Sequence, residues 1–324
     1  MNAVSTTASA DAATVTKNDA ATVINSDAAT VTTNHAATGT DAAAHARARP
    51  RWIRELAAQP GTILAILFAL FLLAALIVPN LVAPSDPYAV DPANAFQKPG
   101  LAHLFGTDQS GRDEFSRIVW GARQSLWVGV LATLIGVVGG LVLGLIAGLG
   151  GKIADAVTSR FVEILFAFPG LLLALVLIVV LGRGIGPAAV AVGIGSVPGY
   201  ARIFRGQVLQ VRQSGYVEAS RALGWSPLRR LRATVIPNTL RPLVAILTLG
   251  IGQAVVWASA LGFLGLGAEP PTAEWGTMLA DGRSYIQVAW WIAFFPGLFI
   301  TMTALSATAI GHFLQKQFEP KKGR

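Results

Sequence analysis

Apolar runs, most of them close to the roughly 20 residues that cross a bilayer as a helix, alternate along this chain with short arginine-rich segments. The first covers 61–83 (GTILAILFALFLLAALIVPNLVA) and follows Arg47, Arg49, Arg51 and Arg54. Further runs cover about 124–149, 161–181, 185–201, 239–267 and 286–313, the fourth of them short and glycine-rich. The pattern predicts six helical spans, which return the C-terminus to the side of the N-terminus. In the second run Gly136, Gly140, Gly144 and Gly148 form a small-x-x-x-small row, which permits close approach of another helix.

Composition agrees with that pattern. Of the 324 residues, 53% are hydrophobic and only 13% charged, a balance outside that of soluble globular domains. An all-α integral membrane protein is predicted. The net charge of +8 is explained by topology, because no basic-aromatic interleaving marks a nucleic-acid surface. With the N-terminus inside, nineteen of the 25 basic residues fall on inner segments, as the positive-inside rule requires. Trp120, Trp127, Trp290 and Trp291 fall at outer span ends, where an interfacial aromatic belt belongs. There is no cysteine, and four scattered histidines give no metal site.

Residues 1–46 follow another rule. DAATVTKN, DAATVINS and DAATVTTN repeat every eight residues from Asp11. Rich in alanine and threonine, such a segment is expected to be a disordered tail. The domain plan is therefore this tail, a segment 47–122 with the first span and an external stretch, a five-helix core 123–314 containing an inner loop 207–237, and a basic C-terminus 315–324.

That inner loop holds GYVEASRALGWSPLRRLRATVIPN (215–238). Ser214 is placed to cap a first short helix, the early Glu218 favours its positive dipole end, and Gly224 is placed to stop it. Ser226 and Pro227 predict the N-cap and first turn of a second helix, ended by Pro237. The expected product is a cytosolic helical hairpin that presents small residues at Ala219, Ser220 and Ala222 for close insertion into a partner.

EASRALG with its following IP resembles the EAA loop of binding-protein-dependent ABC transporter permeases. Glu218, Ala219, Gly224 and Pro237 match in register, while Ser220, Thr234 and Ile236 replace an alanine, an isoleucine and a leucine of the pattern. FGTDQSGRDEFSRIVWGARQSL (105–126), PGYARIFRGQVL (198–209) and LGFLGLGAEPPTAEWGTMLADGR (261–283) resemble the C-type subunit of dipeptide, oligopeptide and nickel permeases. The likeness runs from about Trp52 to Glu319.

The resemblance implies a MetI-like importer permease core with an extra N-terminal span. It also implies docking of Glu218, Ala219, Ser220, Gly224 and Pro237 on cytosolic ATPase subunits. The expected partners are a related B-type permease subunit, two such ATPases and an extracytoplasmic substrate-binding protein, in a bacterial or archaeal inner membrane. The substrate class spans peptides, nickel chelates, glutathione and other small solutes. No cofactor is expected on this chain, and ATP with magnesium belongs to the ATPases, because no G-x-x-x-x-G-K-[ST] loop occurs. The nearest stretch, GLGGKI at 148–153, has isoleucine after the lysine.

On the outer side, Ser110 and Asp113 match a capping box and Asp108 and Arg112 have helical ion-pair spacing. Residues 84–122 are either part of a docking face for the binding protein or an interfacial helix leading into the second span. Glu269, Glu274 and Asp281 either meet a cationic substrate amine or stand solvated. A stand-alone secondary transporter is the alternative of another class, although no chain of acids and bases crosses the predicted spans.

Overall fold

The computed structural model describes residues 59–83 and 85–318. The octapeptide segment, the basic residues before the first span and the terminal KKGR lie outside them. The regular structure of the described residues is helical, with a single isolated β-bridge between Thr107 and Asp113.

Helix α1 (Pro60–Ile77) starts with proline at its first turn and stops before Pro79, which opens the one-turn α2 (Pro79–Val82). After an outer segment comes α3 (Glu114–Leu149), whose 36 residues make it about 54 Å long. That exceeds the ~30 Å hydrocarbon thickness. Asp113 is its N-cap, accepting from the Ser116 amide at 2.8 Å and the Ser116 hydroxyl at 2.7 Å. The cap is thus Asp113 with Ser116, not the Ser110–Asp113 box, because the Thr107–Asp113 bridge holds Asp113 extended beside the helix start. Asp108 and Arg112 do pair, at 3.7 Å, but on a loop, where Asp108 also faces Arg117 at 3.7 Å. No separate interfacial helix precedes the span among the described residues.

The run at 161–181 is not one straight span. It divides between α4 (Gly151–Phe166) and α5 (Gly170–Leu181), bent by 86°. Pro169 drives its predecessor away from helical geometry and removes an amide donor, which breaks the ladder at 167–169. Helix α6 (Ile185–Arg212) follows; α7 (Gly215–Ala222), α8 (Pro227–Arg230) and α9 (Ile236–Leu240) form the inner hairpin. Then come α10 (Leu243–Phe263), α11 (Trp275–Arg283) and α12 (Trp291–Phe318). Among the described residues α1, α3, α10 and α12 are long and apolar enough to span, and α4 with α5 makes a fifth candidate. The remaining predicted span falls on α6, which continues past residue 201 into the inner basic segment.

The glycine row of α3 packs on α6. A Cβ on Gly140 would collide with Tyr200 Cβ. One on Gly144 would stand 2.6 Å from Phe204 Cβ and one on Gly148 2.5 Å from Val208 Cγ1. From the other side, one on Gly193 would stand 2.7 Å from Ile135 Cβ. Backbone therefore lies against backbone over four helical turns. Two apolar clusters flank this seam: Val128, Ala132, Ala189, Val192 and Leu261 on one side, and Leu72, Ile118, Val119, Trp275 and Phe299 toward the outer end.

Candidate functional site

Helix α7 (Gly215–Ala222) begins where Ser214 turns extended, its carbonyl accepting from the amides of Val217 and Glu218. The Ser214 side chain does not cap; it turns back and donates to the Val211 carbonyl. The helix ends as expected at Gly224, whose φ of +71° is the left-handed geometry that glycine adopts without penalty. Its amide donates to the Arg221 carbonyl at 2.9 Å and that of Trp225 to the Ser220 carbonyl at 3.1 Å, which is a Schellman closure.

Ser226 then accepts from the Arg229 amide at 3.4 Å, and Pro227 opens α8 (Pro227–Arg230). Pro237 does not end this second helix. A π turn over Leu231–Val235 precedes it and the chain continues as α9 (Ile236–Leu240). Proline lacks an amide and clashes with the carbonyl four residues back; a wider turn relieves both, so the helix passes through.

The hairpin sits beneath the inner ends of α3 and α6. Val217 and Val235 are buried with Val211, Leu149 and Leu231. Arg212, at the last turn of α6, donates to the Gly148 carbonyl at 2.5 Å, which ties the last turns of the two long helices above the hairpin. Between α4 and α6, Arg205 holds Asp155 at 2.6 and 2.8 Å. Of the motif residues, Glu218, Ala219, Gly224 and Pro237 are exposed, together with Ala222. Ser220 is not presented to a partner: it is buried and its hydroxyl donates to the Val217 carbonyl at 2.7 Å. Leu223 is 72% exposed, and Tyr216 and Leu228 are also open, which leaves an apolar tip beside arginines.

The outer candidates separate. Glu269 and Asp281 are exposed, whereas Glu274 is only 4% exposed and caps α11. It accepts from the Gly276 amide at 2.8 Å and the Thr277 amide at 2.9 Å, and burial raises its carboxyl above the ordinary carboxylate range. Ser125 of α3 receives the Trp275 amide at 3.1 Å, and the Trp275 indole donates to the Ile118 carbonyl at 2.9 Å. Glu274 thus holds α11 against α3 and faces no solvent. Trp291 is likewise no interfacial anchor; it is buried and donates to the Thr107 carbonyl at 3.0 Å. Glu274→Ala is expected to lower stability by about 2–3 kcal/mol, a lost cap plus buried unpaired amides, and Glu274→Gln to retain most of it. Unfolding in mixed micelles measures both.

A feature the hydropathy pattern did not reveal lies at the α4–α5 break. A cavity of about 290 Å³ opens there, walled by Phe166 and Phe168 at the break, by Ser196 and Tyr200 of α6, and by Gln253 and Trp257 of α10. The Phe168-Pro169-Gly170 punctuation was the available signal.

Residues 140–324 match the family of binding-protein-dependent transport system inner membrane components. The chain is 42% identical over 257 residues to the dipeptide transport system permease protein of Alkalihalophilus pseudofirmus, covering 79% of this chain and 84% of that one. It is 42% identical over 267 residues to the dipeptide permease protein of Escherichia coli, 81% of this chain and 89% of that one. It is 37% identical over 284 residues to the glutathione transport system permease protein of Pectobacterium atrosepticum, 87% and 93% of the two chains. Among solved structures, the inward-facing MetNI methionine ABC transporter superposes with a TM-score of 0.51 at 22% identity, over 63% of this chain and 96% of that one. These last figures bear on the fold alone.

Proposed function

From a chain that belongs to the binding-protein-dependent transport system inner membrane components, we propose a permease subunit that carries short peptides inward through an ATP-driven importer. The observation that carries the mechanism is the inner hairpin, whose exposed motif residues and apolar tip are joined to the ends of α3 and α6. The chain supplies half of the pathway and the lever. Two cytosolic ATPases hold ATP and magnesium, a related B-type subunit completes the pore, and an extracytoplasmic binding protein delivers substrate. Both termini lie in the cytosol of a bacterial or archaeal cell.

Glu218, Ala219, Gly224 and Pro237 form the docking edge, and Ser220 holds that edge in shape from beneath. When the ATPases close, the hairpin moves, and the tight α3–α6 seam transmits the displacement as one rigid pair. Peptide is the preferred substrate because dipeptide permeases stand among the relatives at 42% identity. Glutathione, itself a peptide, is the second reading, favoured by the 37% identical relative.

Proteoliposomes containing the assembled complex test this. Dialanine uptake should require ATP and the binding protein and should persist when ion gradients are collapsed. Uptake driven by an ion gradient without ATP points instead to a stand-alone transporter. Competition by glutathione or by a nickel chelate ranks the substrates.

A further inference from the structure

The cavity at the α4–α5 break combines two features that hydrocarbon does not tolerate. Gln253 lies midway along α10, exposed, and its amide has no hydrogen-bond partner among the described residues. A side-chain amide at that depth is costly against lipid and acceptable against water. The backbone at 167–169 is irregular, and such backbone at membrane depth occurs where it is buried in protein or lines an aqueous path. Both features face the same space. The exposed stripe of α3 is different in kind: Leu134, Val138, Val142 and Ile146 are wholly apolar, as a lipid-facing surface should be.

The walls indicate what the space accepts. Among the described residues no carboxylate or guanidinium lines it, so net charge does not select the occupant. Gln253 presents one carbonyl acceptor and an amide donor, the complement of a peptide group. The Tyr200 hydroxyl also has no partner among the described residues and reaches Gly250, where any side chain would displace it. Trp257 is fixed because its indole lies on Gly170, where a Cβ would collide with the ring. Together with Phe166 and Phe168 it makes an aromatic wall for an apolar side chain.

We propose that this cavity is a membrane-depth contact site for the transported peptide, with Gln253 pairing to a peptide group and Trp257 packing on a side chain. The proposal rests on the peptide-permease function proposed above. At about 290 Å³ the cavity lies just below the roughly 300–1,000 Å³ of complete small-molecule sites. It is therefore a partial site, and the facing permease subunit supplies the opposite wall.

Because the chain has no cysteine, Gln253→Cys introduces the only thiol in this subunit. In the assembled, reconstituted complex it should react with a charged, water-soluble methanethiosulfonate, read by mass on this chain, while Val138→Cys on the apolar stripe stays unreacted. Dialanine at about ten times its dissociation constant should slow the labelling about tenfold, since mass action leaves roughly one site in ten empty. Trp257→Ala should lower uptake of alanyl-phenylalanine relative to dialanine by about two- to tenfold, the range of an aromatic contact. A Gln253→Cys thiol that does not label, or one that labels without peptide protection, overturns the proposal. So does an unchanged uptake ratio in Trp257→Ala. Failure of the underlying peptide reading looks different: wild-type vesicles then take up no dialanine on ATP at all.

Discussion

Gly140→Val is expected to destabilise the folded permease more than a hundredfold in its folding equilibrium. At this position an added Cβ meets Tyr200 Cβ and stands 2.8 Å from the Ala201 backbone nitrogen. Neither obstacle can rotate away, because one is the root of a side chain and the other is main chain. Overpacking a well-fitted interior costs about 1–3 kcal/mol, and this site belongs at the upper end, about 3 kcal/mol or more than a hundredfold in the equilibrium. Valine also adds two methyl groups beyond the Cβ. Thermal unfolding in detergent and the amount of chain in membranes read the effect. Gly206→Ala, on the facing α6 but with nothing within 4 Å of the added Cβ among the described residues, should be neutral or stabilising by up to about 1 kcal/mol through helix propensity. Equal melting of Gly140→Val and wild type would show that the α3–α6 seam is loose and cannot act as a rigid lever.

The features legible in the sequence are those determined within a few residues. Ser226 and Pro227 start α8 as their types require, and Gly224 ends α7 in the left-handed geometry that its missing side chain allows. The glycine row of α3 was legible as a packing face, but its partners Tyr200, Phe204 and Val208 stand some sixty residues away and leave no local trace. Long-range contacts account for the misplaced groups too. Glu274 is an acidic residue in a proline-rich loop, and the approach of α3 through Ser125 and of α10 through Gly262 buries it. Asp113 displaced Ser110 as the cap because its backbone bridges to Thr107.

Averaged hydropathy concealed the α4–α5 break, since Phe168 and Pro169 interrupt backbone geometry without interrupting apolar character. Pro237 carried the opposite error. Its usual helix-ending effect was absorbed by a π turn that helix propensities do not foresee. The candidate hairpin was thus visible from sequence in outline, while the inward turn of Ser220 and the Arg212 tie to Gly148 required the packed structure.

Gly224→Asp is expected to leave the spans folded and to remove the ATPase. An added Cβ at Gly224 meets nothing within 4 Å among the described residues, so it clashes with none of them. The left-handed backbone costs a non-glycine residue about 1 kcal/mol or slightly more, and asparagine and aspartate bear it best. The greater penalty falls at the partner, where an unpaired carboxylate would be buried beside Leu223. Desolvating such a charge costs several kcal/mol, and even about 3 kcal/mol weakens docking more than a hundredfold. Gly224→Asn carries the same backbone demand without the charge and should retain most of the binding, which separates docking from hairpin collapse.

Recovery of an ATPase with this chain from gently extracted membranes, wild type beside Gly224→Asp and Gly224→Asn, tests the coupling role of the hairpin most directly. An ATP-hydrolysing partner is expected with wild type and with Gly224→Asn, and its loss is expected with Gly224→Asp at unchanged levels of the chain. An ATPase recovered equally with all three would place docking elsewhere on the molecule, and the absence of any ATPase from wild type would contradict the coupling role altogether.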